Sequence, residues 1–217
     1  MIASDMTPQP RIGSIEHAGQ LIDPDQAIAL GDAVRAQHDS NIDLHSSWYG
    51  NPAGQYYHID SVENAPATGE DDDFSRTIYL AEGELAIVKT AVEKFREIAG
   101  KKLNPQKTVI SSDILVGTGA TGMWHTDGGE DYRGLVNISP AMLGLLAMVP
   151  SDVPTQLRCG FEWNTSRGPA LERQQGILFF PGEVVAIDNI TVPSLQIPHA
   201  GVPKSEKILL RLFAQQY

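Results

Sequence analysis

Hydrophobic residues recur along this chain with two different periods, and the change from one to the other falls near residue 108. Before that point the spacing is helical. Asp23-Pro24-Asp25 opens an expected helix running to about Ala36, with Pro24 suited to a first turn that needs no backbone N–H. A stronger stripe follows, in which Leu85, Val88, Ala91, Val92, Phe95 and Ile98 share one helix face. Gly100 and the Lys101-Lys102 pair supply its stop and a basic end that suits the helix dipole. Between the helices, residues 39–80 are rich in Gly, Pro, Asp and aromatics, among them Trp48, Tyr49, Tyr56 and Tyr57. They read as a long loop, with Glu70-Asp71-Asp72-Asp73 as a solvated tip.

From residue 108 short apolar runs alternate with turn residues. Strands are expected at Thr108 to Val116, Met123 to His125, Gly134 to Ile138, Met142 to Val149 and Gln156 to Trp163. Others follow at Ile177 to Phe180, Val184 to Ile187, Leu195 to Pro198 and Ile208 to Ala214. Leu143 to Met148 is also compatible with a short helix, since an apolar run of that length carries no period. The series predicts a sandwich or jelly roll. In Ile208 to Ala214, Leu209, Arg211 and Phe213 share one side and Ile208, Leu210 and Leu212 the other, so this strand is apolar on both faces. The second face fits the amphipathic helix packed outside the sheet.

Composition narrows the classes. The 217 residues suit one domain, with 1–107 as a mostly helical and loop N-terminal support and 108–217 as a jelly-roll core. A net charge of −11 without a basic stripe argues against a nucleic-acid partner. One cysteine excludes a disulfide framework within the chain and suits a reducing compartment, so a cytoplasmic location is expected. No signal-peptide pattern opens the sequence and no apolar run approaches a membrane span, so no membrane partner is expected. Nothing in the sequence sets an oligomeric state.

The chemistry concentrates in His125-Thr126-Asp127. Residues two apart on an extended strand point to the same face, so an imidazole and a carboxylate can converge on one metal ion. His199, 72 residues after Asp127, can complete a set of two histidines and one carboxylate. Such a set leaves positions open on iron and suits non-haem Fe(II), though zinc accepts the same ligands. Arg211 lies 12 residues beyond His199 on the strand that is apolar on both faces. A guanidinium there needs an internal acid or an anionic ligand, and its fork matches a carboxylate.

In these residues the chain resembles the Fe(II)- and 2-oxoglutarate-dependent dioxygenases, whose pattern is His-x-Asp, a distal His and a basic residue about a strand later. The resemblance covers roughly residues 108 to 214. It implies a double-stranded β-helix, cupin-like, with His125, Asp127 and His199 holding Fe(II) and Arg211 gripping the far carboxylate of 2-oxoglutarate. The implied reaction uses O2 to hydroxylate a C–H bond of a small-molecule substrate, releasing succinate and CO2. The carboxylate ligand argues against halogenation. Tyr132, Arg158 and Trp163, near strand ends, are candidate substrate contacts.

Two alternatives stay in view: an iron oxygenase with the same ligands that does not use 2-oxoglutarate, and a non-enzymatic, cupin-like metal-binding module. Rival motifs carry less. His58-Ile-Asp60 repeats His-x-Asp, but no clear strand series precedes it, and the nearest later histidine, His125, is followed by polar residues rather than a strand-borne arginine. Gly117-Thr-Gly-Ala-Thr-Gly122 has dinucleotide-fingerprint spacing, yet Met123-Trp124-His125 does not open a helix, so it reads as a turn between strands. No Gly-x-Ser-x-Gly elbow occurs, and Cys159 reads as a small core residue.

Overall fold

The computed structural model describes residues 14–40, 55–63, 76–118, 141–149, 155–160, 163–164, 168–169, 174–188, 199–201 and 206–216. In chain order these form β1 (Ser14–Gln20), α1 (Pro24–Ser40), β2 (Gln55–Ile59), β3 (Arg76–Ile78) and α2 (Glu82–Gly100). A 3₁₀ turn (Pro105–Lys107) leads into β4 (Thr108–Thr118), β5 (Met142–Ala147), β6 (Thr155–Gly160) and β7 (Trp163–Asn164). Then come β8 (Gly168–Pro169), β9 (Gln174–Phe179), β10 (Glu183–Asp188), β11 (His199–Gly201) and β12 (Glu206–Gln216).

Both helices start where local chemistry satisfies their first N–H groups. The Asp23 carboxylate accepts from Asp25 N at 2.9 Å and from Gln26 N at 3.4 Å, with Pro24 in the first turn as expected. Ahead of α2, the Glu84 carboxylate reaches back to the Ala81 N–H at 2.7 Å. The buried face of α2 is Val88, Ala91, Phe95 and Ala99, within the predicted stripe and one residue beyond it.

A seven-stranded sheet runs in the order β1-β10-β5-β12-β4-β2-β3, and a three-stranded sheet in the order β11-β6-β9. From β5 onward the chain passes between them: β5 is in the large sheet, β6 and β9 in the small, β10 in the large, β11 in the small and β12 in the large. That interleaving is the double-stranded β-helix. Within the two sheets every pairing is antiparallel except β2 with β3.

β12 lies between β4 and β5, bonded to both, and the two faces of the large sheet carry separate apolar clusters. Outward, Ile208, Leu210, Leu212 and Ala214 join Ile114, Leu146 and Ala186 under Leu30 and Val34 of α1 and Val88, Ala91 and Phe95 of α2. Inward, Leu209 and Phe213 meet Leu143, Leu145, Ala147, Val185 and Ile187, with Leu115 beside them. The helices therefore pack outside the barrel, which accounts for a last strand apolar on both faces.

The N-terminal half differs from its reading as helix and loop. β1, β2 and β3 extend the large sheet on both sides, and β2 and β3 fall inside the stretch read as a long loop. Their sequences hide them: Ser-Ile-Glu-His-Ala-Gly-Gln and Gln-Tyr-Tyr-His-Ile do not alternate apolar with polar, and β3 spans only three residues. The ambiguous run Leu143 to Met148 is strand up to Ala147, flanked on either side by β10 and β12. No helix among the described residues is long and apolar enough to cross a membrane.

Close approach fixes how the helices seat. A Cβ on Gly31 would sit 1.9 Å from the Met148 carbonyl oxygen, so α1 touches backbone directly just beyond β5. A Cβ on Gly144 would come within 2.6 Å of the Phe95 ring, which lies in the groove that this missing side chain leaves. At the β9–β10 turn, Gly182 takes φ +81, and its carbonyl accepts from Leu21 N at 2.8 Å. Glu183 then accepts from Phe180 N at 2.7 Å and lies 3.0 Å from His17 Nε2. Burial pushes the Glu183 carboxyl up, but the Phe180 N–H and the His17 ring together hold it below its ordinary value of 4.5.

Gly31→Ala tests the α1 contact by its sign. In an open helix glycine to alanine gains about 1 kcal/mol, whereas an overpacked site costs about 1–3 kcal/mol. Urea denaturation should show a loss of stability; a gain refutes the close approach. For Glu183 the folded pKa lies below the unfolded one, so its contribution is present above the ordinary carboxylate value and lost as pH falls through the depressed one. The stability difference between wild type and Glu183→Gln should therefore shrink on acidification from neutral pH, and a difference that stays constant contradicts the assignment.

Candidate active site

Arg211 occupies the middle of β12 on its inward face, in register with Asp113 of β4 on one side and Leu145 of β5 on the other. Cross-strand partners point to the same face, so guanidinium and carboxylate meet inside the barrel. Arg211 Nε donates to Asp113 Oδ1 at 2.6 Å, and Nη2 donates to Asp113 Oδ2, a bidentate fork. The two side chains are 16% and 8% exposed. The guanidinium carbon also stands 5.0 Å from the centre of the Phe213 ring, two residues along the same face. Around the pair the inward face carries Leu115, Leu145, Leu209 and Phe213, with the buried Lys207 further along β12 on the same side.

The need for an internal acid or an anionic ligand at Arg211 is thus met by an acid. Asp113 was not singled out as a site residue, though its sequence carries a signal: an aspartate within Thr108 to Thr118, a strand whose centre is buried. What the sequence lacks is the register that pairs residues 98 positions apart.

Two further polar atoms adjoin the pair. Ser111 lies two residues from Asp113 on the same face and is 3% exposed. On β2, Tyr57 registers with Ile114, so the next position on each strand is His58 and Asp113. Ser111 Oγ and His58 Nδ1 are both buried and have no hydrogen-bond partner among the described residues. Asp60, the second half of the rival His-x-Asp, is exposed in the turn after β2 and accepts from the Ser61 hydroxyl at 2.9 Å.

His125, Asp127 and Tyr132 lie outside the described residues. His199 opens β11, where its backbone registers with Cys159, and Arg158 registers with Ala200 one step along. Trp163 belongs to the short β7, opposite Pro169 of β8. β11 and β12 are consecutive strands of different sheets, so His199 belongs to the small sheet of the double-stranded β-helix and Arg211 to the large one. Among the described residues no three His, Cys, Asp or Glu side chains gather as a metal ion would require.

No protein-family model matches the sequence, and no curated protein matches it. Solved structures do. A Pseudomonas putida prolyl-4-hydroxylase is 12% identical over 94% of each chain, with a TM-score of 0.56. The viral collagen prolyl hydroxylase of Paramecium Bursaria Chlorella virus-1, solved with 2-oxoglutarate, is 12% identical over 94% of this chain and 96% of its own, with a TM-score of 0.55. The fold is the double-stranded β-helix of these hydroxylases. The non-haem monooxygenase ThoJ, in a nickel complex, shares it at 13% identity and a TM-score of 0.53, over 95% of this chain and 75% of its own. At such identities the likeness is one of fold.

In this double-stranded β-helix the Asp113–Arg211 pair is buried enough that removing one partner strands the other. Arg211→Met should cost about 3–5 kcal/mol in urea denaturation, and Asp113→Leu combined with Arg211→Met should recover much of that loss. A single variant as stable as wild type would show that the pair does not hold the barrel floor.

Proposed function

We propose that this chain is a non-haem Fe(II)- and 2-oxoglutarate-dependent oxygenase that hydroxylates a C–H bond of a small molecule. The observation that carries the reading is Arg211: a permanent cation on the inner wall of an oxygenase-type barrel, already engaging a carboxylate through Nε and Nη2. A site that accepts an aspartate in this geometry has the donors for the far carboxylate of 2-oxoglutarate. His125, Asp127 and His199 supply two nitrogens and one oxygen, a donor set that fits Fe(II). When bound, iron with 2-oxoglutarate and O2 supplies an oxidant for an unactivated C–H bond, with succinate and CO2 as co-products.

The chain's own residues do the rest. Arg211 anchors and orients the cosubstrate from the strand that also holds the barrel together. Leu115, Leu145, Leu209 and Phe213 line the inner face and exclude water, which strengthens each charge contact within. Tyr132, Arg158 and Trp163 are proposed substrate contacts. One observation favours a second reading, an oxygenase with the same ligands that does not use 2-oxoglutarate: Asp113 already satisfies Arg211. Oxygen-dependent release of succinate from 2-oxoglutarate separates the two.

Asp127→Ala should reduce Fe(II)-dependent turnover to background in a succinate-release assay while circular dichroism stays unchanged. Full activity in that variant would remove the iron assignment, and wild-type protein that consumes O2 with substrate but forms no succinate would favour the second reading.

A further inference from the structure

We propose that Asp113 is an exchangeable internal carboxylate: it holds Arg211 when no ligand is bound, and it competes for that guanidinium with the distal carboxylate of a 2-oxo dicarboxylic acid. Asp113 thereby sets how tightly, and how selectively, the barrel takes that acid. The inference rests on the reading of Arg211 as the cosubstrate anchor.

Stereochemistry comes first. Asp113 uses both oxygens on the Nε and Nη2 edge of Arg211, so an incoming carboxylate cannot take the same edge until Asp113 leaves it. The charge balance points the same way. Cation and anion cancel beside the apolar Leu115, Leu145, Leu209 and Phe213, so a ligand arriving next to the intact pair brings a negative charge that these four side chains do not offset. Release of Asp113 from Arg211 removes the conflict for the ligand but leaves a buried carboxylate in need of donors.

Two such donors adjoin Asp113. Ser111 Oγ and His58 Nδ1 are buried, unpartnered among the described residues, and next to Asp113 along and across the strands. A hydroxyl and an imidazole can each donate to a carboxylate. Buried polar atoms without partners are uncommon, and two beside one ion pair mark a second resting place for its anion. Arg211 keeps 16% of its side-chain surface exposed, against 8% for Asp113.

The test is anaerobic titration calorimetry of the Fe(II)-loaded protein with 2-oxoglutarate and with 2-oxobutyrate, which has the same 2-oxo acid end but no distal carboxylate. Asp113→Asn keeps the side-chain shape and removes the charge. It should tighten 2-oxoglutarate about ten-fold or more, the scale of one charged hydrogen bond, and change 2-oxobutyrate less than about two-fold. Selectivity that rises in Asp113→Asn supports the exchange, including the case where only the variant discriminates.

If wild type prefers 2-oxoglutarate and Asp113→Asn leaves that preference unchanged or lowers it, Asp113 merely orients Arg211 and the proposal is overturned while the functional reading stands. If neither protein distinguishes the two acids, Arg211 is no distal-carboxylate anchor and both readings fall. Should Asp113→Asn not fold, a structure of the wild type with 2-oxoglutarate decides. The expected result is Arg211 on the ligand and Asp113 turned toward Ser111 or His58; an intact Asp113–Arg211 fork overturns the proposal.

Discussion

β12 has to satisfy two interiors at once. Its outward residues Ile208, Leu210, Leu212 and Ala214 are sealed under the helices, and its inward residues Leu209, Arg211 and Phe213 face the barrel. Because side chains alternate with a period of two, a slip of one residue against β4 or β5 would drive Arg211 into the helix-covered core and turn Leu210 and Leu212 inward. The Asp113–Arg211 fork opposes that slip, since the pair forms only when residue 211 stands opposite 113. The register in turn sets where each inward group sits, and α2 seats on it through Phe95 over Gly144.

Legibility in the sequence followed periodicity. α2 was plain because six apolar residues at helical spacing leave little choice, and β12 because its burial on both faces writes a continuous apolar run. β1 and β2 were not, as their composition is mixed and their place in the sheet comes from partners on distant strands. α1 ran to Ser40, past the expected end near Ala36, since nothing in Gln37-His38-Asp39 breaks a helix. There His38 reaches the Tyr57 hydroxyl at 2.6 Å, a contact between α1 and β2 that propensity alone does not encode.

For the site the division is similar. A motif read from spacing, His125-x-Asp127 with His199 and Arg211, pointed to a fold that the strand order and the solved hydroxylases share. Arg211 was picked out because a buried guanidinium is physically conspicuous. Asp113 was passed over because a buried aspartate is conspicuous only with its partner known, and the partner lies on a strand nearly a hundred residues away. His58, half of a second His-x-Asp, stands one step along β2 from the Tyr57–Ile114 pair, where Asp113 is its neighbour across the strand.

If Arg211 serves an anionic ligand as proposed, it poses a folding problem that the ligand cannot solve. The chain must bury the guanidinium before any small molecule is bound, and an uncompensated charge in that position costs several kcal/mol. A carboxylate from the adjacent strand removes the penalty, but each increment of stability it adds to the empty barrel is subtracted from the affinity for a ligand using the same donors. The balance is set by how well the displaced aspartate is received elsewhere. Donors such as Ser111 Oγ and His58 Nδ1 lower the cost of exchange, because they have no partner among the described residues in the empty state and gain one when the aspartate moves. Their lack of partners is then the counterpart of the Asp113–Arg211 fork, and a stable fold and a usable anion site can be encoded in one row of side chains.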